Sequence, residues 1–197
     1  MQYPTIILLR HGETEWNLIS RYQGHLDSPL TAKGIDQTKA NAKKLKKVIG
    51  KLDQIKIYSS PLGRAKASCT ILCDELNISL EDIIYDDRIK EFSYGIFEGK
   101  TKDECQLNYS KDVAAREADK WNYQIPDGES YKMVTRRLKS WLADIEGESI
   151  IIMVAHEMVN RALRGLYRGL ETEETLQLRQ ANDLVLMLKN SGEYILN

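Results

Sequence analysis

Ile6-Ile7-Leu8-Leu9-Arg10-His11-Gly12-Glu13-Thr14-Glu15-Trp16-Asn17 opens with four apolar residues and then turns polar without transition. An unbroken apolar run that includes β-branched Ile reads as a strand buried on both faces, and such strands occur mainly in parallel sheets covered by helices. Arg10 and His11 then stand at the carboxyl end of a strand, where ligands of open α/β sheets bind. The bland alternative is an ordinary strand followed by a solvated turn. Against it stand two partner segments, Tyr58-Ser59-Ser60-Pro61-Leu62-Gly63-Arg64-Ala65 and Val154-Ala155-His156-Glu157, each an apolar or β-branched strand ending in a polar turn that carries Arg or His. Three strand ends can thus gather Arg10, His11, Arg64 and His156. Four such groups repel one another unless an anion lies among them. A phosphoryl group, with about −1.5 to −2 charge, is the natural occupant.

Working outward, 21–30 is polar and turn-rich, a loop over the site in which Gln23 and Gly24 are candidate substrate contacts. Thr31 to about Ile49 is patterned as a helix, with Ile35, Thr38, Ala42, Leu45 and Ile49 on one face and Gly50 ending it. Residues 54–59 read as a second strand and 62–76 as a helix beginning at Pro61, giving a βαβα run with parallel strands. Ile83 to Tyr85, and then Ile89, lead toward Glu91 as a third short strand. From Lys100 to about Asp127 the apolar period weakens, which predicts a mostly helical cap within a single domain spanning 1–197. Ser130 to Ile145 is amphipathic, with Met133, Val134, Leu138, Trp141, Leu142 and Ile145 as its buried stripe. Ile150 to Val154 is the fourth strand, Met158 to Tyr167 a helix, and 184–188 with 194–196 a closing pair around Asn190-Ser191-Gly192.

The 28 Lys and Arg against 29 Asp and Glu, a net charge of −1, suggest no nucleic-acid or membrane surface. The lysines at 39, 43, 44, 46, 47 and 51 read as a solvated helix face. Cys69, Cys73 and Cys105 form no disulfide framework, and Cys69 and Cys73, one helical turn apart, read as small buried apolar side chains rather than metal ligands. The N-terminal apolar run is too short for a membrane span or a signal. A reducing, cytoplasmic setting is the expectation.

Leu9-Arg10-His11-Gly12-Glu13-Thr14, the Arg64 turn, Glu91 in Glu91-Phe92-Ser93-Tyr94-Gly95-Ile96-Phe97-Glu98-Gly99, Gly128-Glu129-Ser130 and Val154-Ala155-His156 resemble the histidine phosphatase superfamily, and more narrowly its phosphoglycerate mutase-like branch. The matches run in family order over most of the chain. The resemblance implies a three-layer α/β/α fold with a mostly parallel sheet and a small helical cap. It also implies a phosphohistidine on His11, whose other ring nitrogen is oriented by the Gly12 carbonyl, and a phosphate pocket of Arg10, Asn17, Arg64 and His156.

These assignments agree with the chemistry of the side chains. Neutral imidazole is a good nucleophile toward phosphorus. Arginine offers bidentate donors to phosphoryl oxygens, a protonated His156 would add a cationic donor, and Asn17 a neutral amide. One carboxyl group can protonate the leaving alkoxide and later deprotonate the attacking water, and Glu91 is the candidate, its bland alternative being an ion pair with Lys90 or Lys100. Arg88 and Glu129 are second-tier candidates: Glu129 is either a first-turn acid or, by resemblance, a contact near the nucleophile's histidine partner.

One departure stands out. Where most relatives follow the second histidine with glycine, this chain has Glu157, a candidate substrate contact that would oppose an anion if it faced the pocket; the expectation is that it faces outward. The mixed charges of the cap, Lys111, Arg116 and Lys120 beside Glu104, Asp112, Glu117 and Asp119, favour a phosphatase of moderate or broad specificity acting on small phosphorylated metabolites, without metal or cofactor. Phe92, Trp121, Tyr123 or Met158 are candidates for an apolar leaving-group pocket. The alternatives are a phosphoglycerate mutase dependent on bisphosphoglycerate, and a phospho-ligand binding module without turnover.

Overall fold

The computed structural model describes residues 3–49, 55–148 and 150–197. In chain order the elements are β1 (Thr5–Arg10), α1 (Glu15–Leu18), α2 (Ala32–Ile49), β2 (Ile55–Ser59), α3 (Gly63–Leu76), β3 (Ile83–Tyr85), α4 (Lys102–Asn108), α5 (Ser110–Ala118), α6 (Tyr131–Asp144), β4 (Ile150–Ala155), α7 (Glu157–Arg168), α8 (Thr172–Gln177), β5 (Val185–Lys189) and β6 (Gly192–Leu196). The six strands form one sheet in the order β3-β2-β4-β1-β5-β6. The first four are mutually parallel, while β5 and β6 are antiparallel additions.

Alternation along the strands decides the layers. Ile7, Leu9, Ile57, Ile152 and Val154 pack with Ala42 and Leu45 of α2 and with Cys69, Leu72 and Cys73 of α3. Ile6, Leu8, Tyr58, Ile151 and Met153 face the other way, onto Leu138 and Trp141 of α6 and Val159 and Leu163 of α7. The result is the three-layer α/β/α arrangement with a mostly parallel sheet that the apolar runs implied. No helix among the described residues is long and apolar enough to cross a membrane.

Several local expectations need correction. Ile35 and Met133 are exposed at 36% and 40%, and α2 instead buries Gly34 and Asn41 beside Thr38, Ala42 and Leu45. In both helices the buried stripe is turned away from the expected residue, so that Gly34 and Asn41 of α2 and Tyr131 of α6 lie inward where Ile35 and Met133 do not. Ile89 lies in a short 3₁₀ turn, Asp87–Ile89, rather than in the third strand. The expected helix stop at Gly50 and strand start at Gln54 lie outside the described residues. The segment after Lys100 is helical, as α4 and α5, and the β5–β6 hairpin turns at Asn190 and Ser191, both in the left-handed region at φ 51° and 59°.

Candidate active site

The sheet register brings the polar strand ends level. Arg10 lies opposite Ala155, and Leu9 and Ser59 flank Val154 from its two sides. Immediately beyond, the His11 amide donates to the Ala155 carbonyl and the Ser60 amide to that of Val154, each at 3.0 Å. The imidazoles of His11 and His156, both buried, therefore meet with ring centroids 5.2 Å apart and planes inclined at 58°.

Gly12 permits this because a Cβ there would lie 2.2 Å from the Gly34 carbonyl oxygen of α2. Its amide donates to Ser68 Oγ at 3.0 Å, and its own carbonyl lies 2.7 Å from His11 Nδ1. A carbonyl only accepts, so Nδ1 carries the proton and Nε2 keeps its lone pair. His156 Nε2 lies 2.7 Å from Ser60 Oγ, while its Nδ1 is buried with no partner among the described residues. Burial, together with the Arg64 charge, holds both imidazoles well below their ordinary pKa, with Arg10 adding to the effect on His11 and His11 to that on His156. These surroundings by themselves favour the neutral form of His156, and its role as a cationic donor depends on its being protonated.

The two guanidinium groups are held from behind. Arg64 Nη1 donates to the Leu26 carbonyl at 2.7 Å and to Asp27 Oδ1 at 3.2 Å, and Nη2 donates to the Gly24 carbonyl at 2.8 Å. Arg10 Nη1 donates to the Gln180 carbonyl at 3.0 Å and meets Glu157 Oε2 at 2.9 Å. In both residues Nε is buried without a partner among the described residues. A buried donor left unsatisfied costs about 1–3 kcal/mol, so Arg10 Nε and Arg64 Nε call for an acceptor, as does His156 Nδ1 when it carries a proton.

Glu91 is 8% exposed and sits on the first turn of α7. Its Oε1 accepts from the Phe92 amide at 2.9 Å and the Val159 amide at 3.3 Å, and Oε2 lies 3.5 Å from the Met158 amide. Burial raises its pKa, against the opposing pull of Arg64 and the Phe92 N–H. The Glu91 carbonyl accepts from His25 Nε2 and Arg137 Nη2. Lys90 pairs with Asp87 and Lys100 lies over the Tyr109 ring, so among the described residues neither is the ion-pair partner of Glu91. Glu129 chelates Arg137 and accepts from the Ser93 amide. It thus braces the Glu91 segment rather than a histidine. Arg88 pairs with Asp86 and Asp144 and has no part in the cluster.

A cavity of about 730 Å³ opens above this floor, bordered by Arg10, His11, Arg64 and Glu91. The Histidine phosphatase superfamily (branch 1) description matches residues 6–194. The chain belongs to that superfamily. Phosphoserine phosphatase 1 of Hydrogenobacter thermophilus is 32% identical over 161 residues, covering 80% of this chain and 73% of the relative. "Probable phosphoglycerate mutase GpmB" of Escherichia coli O1:K1 / APEC is 32% identical over 183 residues, covering 90% and 80%. The crystal structure of the alpha-ribazole phosphatase from Shigella flexneri superposes with a TM-score of 0.81 over 97% of this chain and 94% of that one; at 21% identity this is a likeness of fold.

In this member of the superfamily the loop and cap residues differ in how they reach the cavity. Asn17 Oδ1 accepts from the Thr14 amide and hydroxyl, which leaves its amide nitrogen for the cavity it borders. Gln23 Nε2 donates to Thr14 Oγ1 at 2.8 Å, and Gly24 presents its carbonyl to Arg64; both also border the cavity. Of the four apolar candidates, only Met158 is at the cavity wall. Phe92 is core at 1% exposure, Trp121 stacks on Tyr131, and the Tyr123 hydroxyl donates to Asp112.

Glu157 faces inward, contrary to expectation, because Arg10 and Arg161 both hold it. Arg161, one helical turn on, was the available signal, since Glu followed by Arg at i+4 pairs across a helix face. Gln180, Asn182 and Arg137 escaped sequence reading altogether. Asn182 Nδ2 donates to the His11 carbonyl at 2.7 Å from 171 positions away, and nothing local marks it. Among the described residues no group of three or more His, Cys, Asp or Glu is placed to hold a metal ion.

Proposed function

We propose that the chain is a metal-independent phosphatase that hydrolyses small phosphomonoesters through a phosphohistidine on His11. The observation that carries this reading is His11 Nε2, left with its lone pair beside three buried polar atoms that lack partners among the described residues. Arg10 Nε, Arg64 Nε and His156 Nδ1 would meet the phosphoryl oxygens, with the Asn17 amide as a further donor. The negative charge of that group would draw a proton onto His156 and raise its pKa again. In the first half-reaction Nε2 attacks phosphorus, the ester P–O bond breaks, and the leaving oxygen takes the proton of Glu91. In the second, water attacks the phosphohistidine, Glu91 takes the proton of that water, and the N–P bond breaks to release phosphate. The raised pKa of Glu91 suits it to alternate between acid and base.

In this reading the whole chain is one domain, with residues 100–127 as the roof. Arg116 of α5 borders the cavity, is 8% exposed, and lies over the rings of Phe92 and Tyr94 at 5.8 and 5.6 Å. Apart from Glu117 at 3.6 Å it has no polar partner among the described residues. That favours a leaving group with an anionic substituent, and it keeps the mutase reading, which GpmB also supports, as the second choice.

The deciding assay is aryl phosphate turnover in chelator. Wild type should release phosphate, and His11→Ala should lose at least about 10⁴-fold in kcat. Abolition by chelator, or survival in His11→Ala, would remove the reading. A coupled assay with bisphosphoglycerate in which isomerisation outruns phosphate release would install the mutase instead.

A further inference from the structure

A carboxylate beside an anion site weakens it, unless the carboxylate does something for the groups that bind the anion. Glu157 begins α7, directly after His156, and its side chain is 26% exposed at the cavity wall. Oε2 meets Arg10 Nη1 at 2.9 Å and Oε1 meets Arg161 Nη2 at 3.0 Å. Arg161 is itself fixed, with Nε donating to the Leu178 carbonyl at 2.7 Å and Nη1 to the Tyr131 hydroxyl at 2.8 Å. Glu157 therefore has little freedom to swing away.

The consequence falls on Arg10. Its Nη1 is held between Glu157 and the Gln180 carbonyl, and Gln180 is in turn tied to the Leu8 carbonyl and to Asn160. That leaves the Nε and Nη2 edge, where two N–H bonds point the same way and match two oxygens of one phosphoryl group. Arg10 Nε is among the buried atoms with no partner among the described residues.

We infer that Glu157 is a positioning residue for Arg10, one that fixes Nη1 so that the Nε/Nη2 edge faces the phosphoryl group, and that its charge keeps the site from holding phosphate tightly. The inference rests on the phosphatase reading. An enzyme that bound its product and ground state as strongly as two uncompensated arginines allow would gain affinity without gaining turnover. Glu157 offsets the charges of Arg10 and Arg161 while preserving the direction of the Arg10 donors.

The test is calorimetry with inorganic phosphate, together with aryl phosphate kinetics, on wild type, Glu157→Gln and Glu157→Gly. Loss of the carboxylate should tighten the phosphate Kd by about tenfold in both variants. At the same time kcat should fall by about fivefold or more while KM falls with it. A residue that merely supported the local fold would weaken phosphate binding when removed. A Kd that is unchanged within twofold or weaker, in variants whose melting temperatures match wild type, overturns the inference; if one variant is unstable, the other decides. Wild type that binds phosphate without turnover sinks the phosphatase reading, and the Kd shift then tests the charge effect alone. Wild type that binds no phosphate overturns both.

Discussion

At the strand ends, the groups proposed to meet a phosphoryl group are fixed by partners on the sheet and the elements beside it, whereas on α5 the guanidinium of Arg116 rests on two aromatic rings and has no hydrogen bond to a described residue. His11, Arg10 and Arg64 each have two or more partners behind them. The difference separates two tasks. Chemistry on phosphorus needs donors aligned before the substrate arrives, because reorientation during reaction adds to the barrier. Discrimination among leaving groups needs only a wall whose charge and shape suit part of the substrate. A roof assembled from short helices can therefore differ widely while the floor is kept.

The sharpest way to break this division is Glu91→Gln. Glu91 belongs to the floor, so the change should lower kcat on every substrate by about 10²–10⁴. The sign of its stability effect is set by its raised pKa: a carboxyl group that prefers to stay neutral when folded loses stability as pH rises through its folded value. Glu91→Gln should accordingly unfold at the same or a higher temperature than wild type at pH 7.5, measured by calorimetry. A variant that is inactive and also markedly less stable would mean that the carboxylate mainly holds the structure.

Next in size is Arg116→Met, which tests the roof. Its kcat/KM should fall about tenfold or more on phosphomonoesters whose leaving group carries a carboxylate, relative to matched esters without one, as expected for one lost charge-assisted hydrogen bond. Equal losses on both kinds of substrate would move Arg116 from discrimination into the common machinery.

The smallest effect concerns stability against pH. Free imidazole titrates near pH 6.5, and His11 and His156 titrate well below it when folded. Between those values the unfolded chain binds protons that the folded chain does not. Stability should therefore decline as pH drops below about 6.5. Denaturant midpoints from pH 5 to 8 measure the slope, which His11→Gln with His156→Gln should flatten. An unchanged slope in the double variant would show that the floor is more hydrated than its burial indicates.

The same division decides what the sequence could show. Arg10, His11, Arg64 and His156 were legible because each follows an apolar strand, and parallel pairing brings such ends together wherever the strands lie in one sheet. Asn182 and Gln180 were not, since each approaches the floor from more than 165 positions away on an irregular segment. Glu157 turns opposite to the expectation because its ion pairs with Arg10 and Arg161, and not repulsion from an anionic substrate, set its direction. The helices at 102–118 were legible as helices, but which of their charges turned inward was not: Arg116 and Glu117 border the cavity, as does Lys120 just beyond α5, and Lys111 does not. Met133 and Ile35 show the matching weakness in the core, where apolar spacing alone overstated the buried stripe.

The seat of Glu91 on α7 has a mechanical consequence. Its carboxylate is hydrogen-bonded to amides of the same helix that His156 introduces, so any displacement of that helix would carry both side chains as one unit. The first turn of α7 is thus a shared seat for both side chains, and how that helix lies against the sheet sets how far the pair stands from the imidazole anchored on β1.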